Sequence, residues 1–153
     1  MVRERTLLIV KPDGLRRGLV GRILSRFEDA GLLLAGMKMV KADESLLAKH
    51  YEEHIGKDFY PSLIEFMMSN PVIAFVLEGE GAISACRKLT GATNPANAAP
   101  GTIRGDFAHA LPNGQNLIHA SANTEDAERE VPLWFNDQEL FSFQRADHEH
   151  THG

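Results

Sequence analysis

Cysteine occurs once, at Cys86, and no CxxC pair exists in the 153 residues. An internal disulfide is therefore excluded, and so is paired-cysteine zinc or redox chemistry. A surplus of positive charge is also missing: 21 acidic side chains against 16 basic ones give a formal net charge of -5. That balance opposes a broad nucleic-acid footprint, while local basic pockets remain open. No apolar run approaches the length of a membrane span. The opening MVRERTLLIVK is basic in part, but its apolar stretch covers residues 7–10 only, too short for the core of a signal peptide. No N-x-S/T acceptor suggests secretion. The expectation is a cytoplasmic protein with no membrane partner. A Walker A motif is absent as well, so any phosphate binding must rest on side chains rather than on a glycine nest.

What is present suits one globular domain: 43% hydrophobic and 24% charged residues leave enough apolar material for a core. RTLLIVK (5–11) reads as a buried strand stopped by a Pro12-Asp13-Gly14 turn. Val20, Ile23, Leu24 and Phe27 recur at helical spacing, and Gly31 is a stop signal. A second strand is expected over 33–40. Asp43 caps a helix through Leu46, Leu47 and His50, and a short helix follows around 61–67. VIAFVLE after Pro71 is a strong strand, 82–89 a helix, and NLIHA a last strand before a helix over 124–131 capped by Asn123. Between them, 91–115 is rich in Gly, Pro, Asn and Ala with little periodicity. A loop that long in a small domain is functional or disordered. The order β-α-β-α-α-β-α-loop-β-α predicts an α+β fold, a ferredoxin-like sandwich with a four-stranded antiparallel sheet. The domain is expected over 1–146, with 147–153 a polar, His-rich, mobile tail.

Two motifs are decoys. GEGAIS (79–84) follows a strand and opens a helix, but Ser84 stands where a dinucleotide fingerprint has its third glycine, and Glu80 would repel a pyrophosphate. His148, His150 and His152 could meet a metal, yet nothing preorganises them, and a solvated terminus explains them. No resident protein metal site is expected.

Other polar residues stand where packing does not ask for them. Lys11 ends an apolar strand, Arg87 lies in a small-residue helix, Thr93 and Arg104 belong to the long loop, Asn116 and His119 flank the last strand, and Glu130 comes one helix later. Taken singly, each has a bland reading as surface charge or turn, and a lone histidine is commonly a satisfied core residue. Together they suggest an anionic ligand: three cations with hydroxyl and amide donors beside one imidazole. A histidine poised near neutral pH can be a nucleophile if its second nitrogen is fixed by a partner, and Glu130 suits that part.

Three stretches in this order, ERTLLIVKPDGLRRGLVG, GATNPANAAPGTIRGDF and NLIHAS, resemble the nucleoside diphosphate kinase family over nearly the whole chain. KPDG or TNP alone would be weak; the combination is specific. The resemblance implies an enzyme, a phosphotransferase that moves the γ-phosphoryl group of ATP or another nucleoside triphosphate to a nucleoside diphosphate by a ping-pong mechanism. A phosphohistidine carries the group, and magnesium enters on the nucleotide. It implies a homo-oligomer, hexamer or tetramer. By resemblance His119 is the phosphorylated nucleophile and Glu130 its orienting carboxylate. Lys11, Tyr51, Arg87, Thr93, Arg104 and Asn116 match catalytic, phosphate and sugar positions, and Phe59 matches the aromatic that stacks on the base. Stacking reads a π-face common to all bases, so broad base specificity is implied.

The chain departs from the family in places. Ala120 and Ala122 stand where the family often has Gly and Asp, Lys57 where it often has Arg, and 109–115 is slightly longer than the commonest version. Ala120 requires that the backbone not use a glycine-only conformation. Two further readings carry weight. A regulatory nucleotide-binding module would have lost its nucleophile or charge partners, and this chain retains them. A structural or nucleic-acid-binding protein is opposed by the net charge and the lack of a basic aromatic face.

Overall fold

The computed structural model describes residues 3–110 and 115–152. Its centre is a four-stranded sheet in the order β2-β3-β1-β4, built from β1 (Arg3–Val10), β2 (Leu33–Val40), β3 (Val72–Glu80) and β4 (Ile118–Ala120). Every pairing is antiparallel. Both faces are covered, so β1 and β3 read as near-continuous apolar runs and alternate residues serve opposite cores. Leu8 and Val10 point to one face, with Phe75, α2 (Val20–Asp29) and α5 (Ala82–Thr90). Leu7 and Ile9 point to the other, with α3 (Glu44–His50), α4 (Tyr60–Met68) and α7 (Thr124–Trp134). This is the expected ferredoxin-like α+β sandwich.

Local chemistry sets the element ends. Asp43 accepts from Leu46 N at 2.8 Å and Asn123 from Asp126 N at 2.8 Å, so both expected N-caps close their helices. Gly31 has φ +93 and ends the α2 connection in a conformation that side chains resist.

Three segments differ from expectation. Pro12-Asp13-Gly14 is not merely a turn: it opens a short helix, α1 (Pro12–Arg16), with proline in the first helical turn, where it gives up no hydrogen bond. The long loop holds a 3-10 turn at Pro95–Asn97 and a helix, α6 (Ile103–Phe107), capped by Thr102. Both are too short for periodicity to reveal. Beyond residue 146, the polar segment forms one helical turn, α8 (His148–Thr151), close against Gly31 and Gly79. The expected extra length at 109–115 falls mostly on 111–114, outside the described residues. No helix among the described residues is long and apolar enough to cross a membrane.

Candidate functional site

The C-terminal end of β1 and the short strand β4 meet beside the loop at 91–110. Lys11 is the first residue past β1, and His119 sits in β4 opposite Ile9. Arg104 comes from α6, Arg87 from α5 and Glu130 from α7. Residues far apart in sequence thus converge on one cavity of about 420 Å³. All nine residues singled out in the sequence line it: Lys11, Tyr51, Phe59, Arg87, Thr93, Arg104, Asn116, His119 and Glu130.

His119 Nε2 and Glu130 Oε1 lie 2.8 Å apart, and the same oxygen accepts from Ser121 Oγ at 2.8 Å. Burial alone would raise the Glu130 carboxyl, but the bonds to His119 and Ser121 and the charge of Arg129 outweigh it and hold the group below its usual range. An ionised carboxylate can only accept, so the proton of His119 belongs on Nε2, which leaves Nδ1 with a free lone pair.

The cationic wall is under-compensated. Lys11 is buried, and its Nζ donates to the neutral Asn116 Oδ1 at 2.8 Å. Burial and the nearby Arg104 bring its pKa down to about 8, against the opposing pull of Asp13. Arg104 is 3% exposed and donates to the carbonyls of Asn116, Gly91 and Ile118. Burial, then Arg87, lowers its pKa to about 10. Among the described residues neither Lys11 nor Arg104 forms an ion pair. Arg87 donates to Ala120 O at 3.1 Å. Buried cations without carboxylate partners are costly unless an anion completes them.

Asn116 is 3% exposed, and its amide bridges Lys11 to Thr93, donating to Thr93 O at 2.9 Å. It therefore ties strand end, loop and lysine together. Phe59 stands at the rim, 48% exposed, with its ring edge-on to His54 at 5.1 Å. Tyr51 is buried behind it; burial, then Glu130, raises its phenol, and its hydroxyl has no protein partner among the described residues.

His50 was read only as a helical residue, yet it packs edge-on against His119 with ring centroids 4.6 Å apart. Its Nδ1 accepts from Trp134 Nε1 at 3.1 Å. Burial, reinforced by His119, Arg129, Lys11 and His54, keeps it neutral with a pKa well below the ordinary value. Arg129, beside Glu130 at 3.5 Å, was not singled out either. No local pattern marks these two: His50 ends a helix as many histidines do, and Arg129 reads as a surface charge. His50, His119 and Glu130 are close enough to hold a metal ion. The His119–Glu130 and Ser121–Glu130 bonds, with His50 held by Trp134 and packed against His119, account for the grouping as an orienting network for the imidazole.

Ala120 has no positive φ, so β4 makes no glycine-only demand there. Ala122 lines the cavity without blocking it. Lys57 Nζ stands 3.4 Å from His54 Nδ1 and 5.9 Å from the Phe59 ring, outside the cavity lining.

Comparison with known proteins gives one consistent result. The family model described as nucleoside diphosphate kinase matches residues 4–140. The nucleoside diphosphate kinase of Thermosynechococcus vestitus is 52% identical over 143 residues, which cover 94% of each chain. Among solved structures, a transition-state mimic of the Borrelia burgdorferi enzyme with bound vanadate and ADP is 47% identical, with TM-score 0.90 over 96% of this chain and 95% of that one. The halophilic Halobacterium salinarum enzyme in complex with CDP is 45% identical, with TM-score 0.94 over 99% of this chain and 100% of the other.

Proposed function

The chain belongs to the nucleoside diphosphate kinase family, and from that premise we propose the residues by which it moves a γ-phosphoryl group from a nucleoside triphosphate to a nucleoside diphosphate. It is a phosphotransferase that works through a phosphohistidine. His119 is the nucleophile. Its Nδ1 lone pair forms the N–P bond while the bond from the γ-phosphorus to the β,γ-bridging oxygen breaks. The electron pair of that bond leaves on the nucleoside diphosphate. The imidazolium that develops keeps its proton on Nε2, and Glu130, fixed by Ser121, stabilises it. The second nucleotide then reverses these steps.

Phosphoryl transfer needs positioning and charge stabilisation more than covalent help. Lys11 and Arg104 take the charge on the transferring group, and Arg87 and Thr93 hold the neighbouring phosphates. Asn116 orients Lys11, and its remaining amide hydrogen is free for the sugar. Tyr51 packs the histidine pocket. The exposed ring of Phe59 stacks on the base and supports broad specificity. Magnesium bound on the nucleotide phosphates would neutralise part of their charge; the facing wall of Lys11, Arg87 and Arg104 supplies nitrogen donors to the phosphates.

The enzyme is a homo-oligomer in this reading. Met37 and Met39 are 46% and 66% exposed on the edge strand β2, beside the exposed Phe141 and Phe143. An apolar sheet edge of that kind invites burial by a second copy. With charged nucleotides as substrates, its place is the cytoplasm.

The observation that carries the mechanism is the His119–Glu130–Ser121 chain facing a wall of unpaired cations. The test mixes protein with γ-labelled ATP and magnesium, quenches one portion to read the label on protein, and adds GDP to an unquenched portion. Acid-labile, alkali-stable label on His119 that chases to GTP is expected. His119→Ala should take up no label while still binding nucleotide. Turnover equal to the parent would sink the assignment.

A further inference from the structure

Leu117 is the one described residue other than glycine with positive φ, at +73°. Ile118 N donates to Asn116 O at 2.9 Å, so Leu117 is the centre of a γ-turn of the rare, strained kind. Its neighbours are Asn116 and, two residues on, His119, and its own side chain is buried in the core. A leucine held there requires bonds that over-determine its backbone.

The Lys11–Gly14 stretch supplies them. Lys11 N donates to Leu117 O at 2.8 Å. Asp13 Oδ2 accepts from Leu117 N at 3.0 Å. At Gly14, a Cβ would stand 3.1 Å from Leu117 O and 2.5 Å from Val10 Cγ1, so the bare Cα lets the strained peptide approach. Both polar atoms of Leu117 are thus gripped from one short segment. Among the described residues Asp13 Oδ1 is buried without a partner and the carboxylate forms no ion pair that would otherwise explain it.

We propose that Asp13 is a positioning residue for phosphoryl transfer: with the Lys11 backbone and Gly14 it clamps Leu117 at positive φ, and the clamp sets Asn116 and His119 against the cavity. The inference rests on His119 as nucleophile. Released from the clamp, Leu117 relaxes toward extended φ, which turns the peptide that follows Asn116. The Asn116 amide then loses its aim at Lys11 and Thr93, and β4 shifts where His119 faces the phosphoryl group. The negative charge of Asp13 also favours the charged forms of Lys11 and Arg104, so the same carboxylate supports the cationic wall.

The experiment measures single-turnover labelling of His119 from magnesium–ATP in Asp13→Ala and Asp13→Asn, each also placed on Leu117→Ala and Leu117→Gly. Asp13→Ala should slow labelling by about 100-fold at saturating ATP, the scale of a small misplacement, with a smaller change in ATP affinity. Asp13→Asn keeps an oxygen for Leu117 N–H and should recover most of the rate. On Leu117→Gly, which holds positive φ without help, the loss from Asp13→Ala should shrink; on Leu117→Ala, which leaves the same cavity, it should persist. A normal rate in Asp13→Ala, an Asn variant as slow as the Ala variant, or equal losses on both Leu117 backgrounds would overturn the clamp. Where a Leu117 variant does not fold, amide exchange at Leu117 decides: faster exchange in Asp13→Ala but not Asp13→Asn supports the proposal, and unchanged protection overturns it. A wild type that takes up no label would count against His119 as nucleophile, and the exchange result would still judge the clamp.

Discussion

At the start of β1, Arg3 and Arg5 close on Glu78 of the neighbouring strand, each at 2.9 Å. Just past its other end, six residues beyond Arg5, Lys11 lies buried beside Arg104 with no ion pair among the described residues. The first end is neutralised from within the fold. Burial would raise the Glu78 carboxyl, but hydrogen bonds from Arg5 and Arg3 outweigh it and hold the group below its usual range. The second end keeps its cations desolvated, and their affinity for protons falls. A charge with its own partner serves the fold; a buried charge without one is poised for a ligand. The difference separates an arginine pair of no catalytic interest from the wall of the proposed active site.

The largest expected effect comes from removing the uncompensated charge. Lys11→Met should lower kcat/KM by about 10²–10³-fold, as when one donor to a developing charge is lost. The nucleotide-free variant should melt no lower than the parent, because a buried charge without an ion pair gives way to an apolar chain of similar length. Steady-state kinetics checks the first and a thermal scan without nucleotide the second, and a large loss of stability would break the comparison. Next comes pH. A lysine with a pKa near 8 discharges as pH rises through that value, so kcat/KM should fall above about pH 8 while the Glu130 carboxylate stays ionised. A flat alkaline profile of kcat/KM would show that Lys11 keeps its charge in the free enzyme and would break the comparison.

Smaller effects belong at the other end. Glu78→Gln should cost about 1 kcal/mol or less, since Arg3 and Arg5 are partly exposed and screened, and should leave turnover unchanged. Because the folded state depresses the Glu78 pKa, its contribution is present above the ordinary carboxylate range. It is lost as pH falls through the lowered value, so parent and variant should converge in stability in acid. The smallest effect is expected from deleting 147–153, whose Thr151 and His152 lie against Gly31 and Gly79 near the neutralised end. Turnover should not change; a large loss would mean that the segment joins a subunit contact that supports the site.

The strands, the α2 and α7 helices and the Asp43 and Asn123 N-caps could be read directly, because apolar periodicity and capping act over a few residues. Seven of the nine candidate site residues were legible for a different reason: they stand as polar interruptions in apolar or small-residue surroundings, whereas Tyr51 and Phe59 came only from the resemblance to a family. Segments α1 and α6 escaped, since five residues hold too little of a helical period to register. His50 and Arg129 escaped because nothing in their neighbours announces that α3 and α7 bring them to His119 and Glu130 respectively. Leu117 looked like ordinary core, and its burial agrees; its backbone conformation leaves no trace in its side-chain type.

By itself, the sequence determined which residues can be strand, helix or cap and which side chains carry charge or nucleophilic capacity. These are local properties of composition and spacing. Only the tertiary structure decided which nitrogen of His119 is free, which cations go unpaired and which leucine is strained. Those outcomes depend on distances of a few ångströms between segments a hundred residues apart, and on a burial that strips water from some charges and leaves it to others.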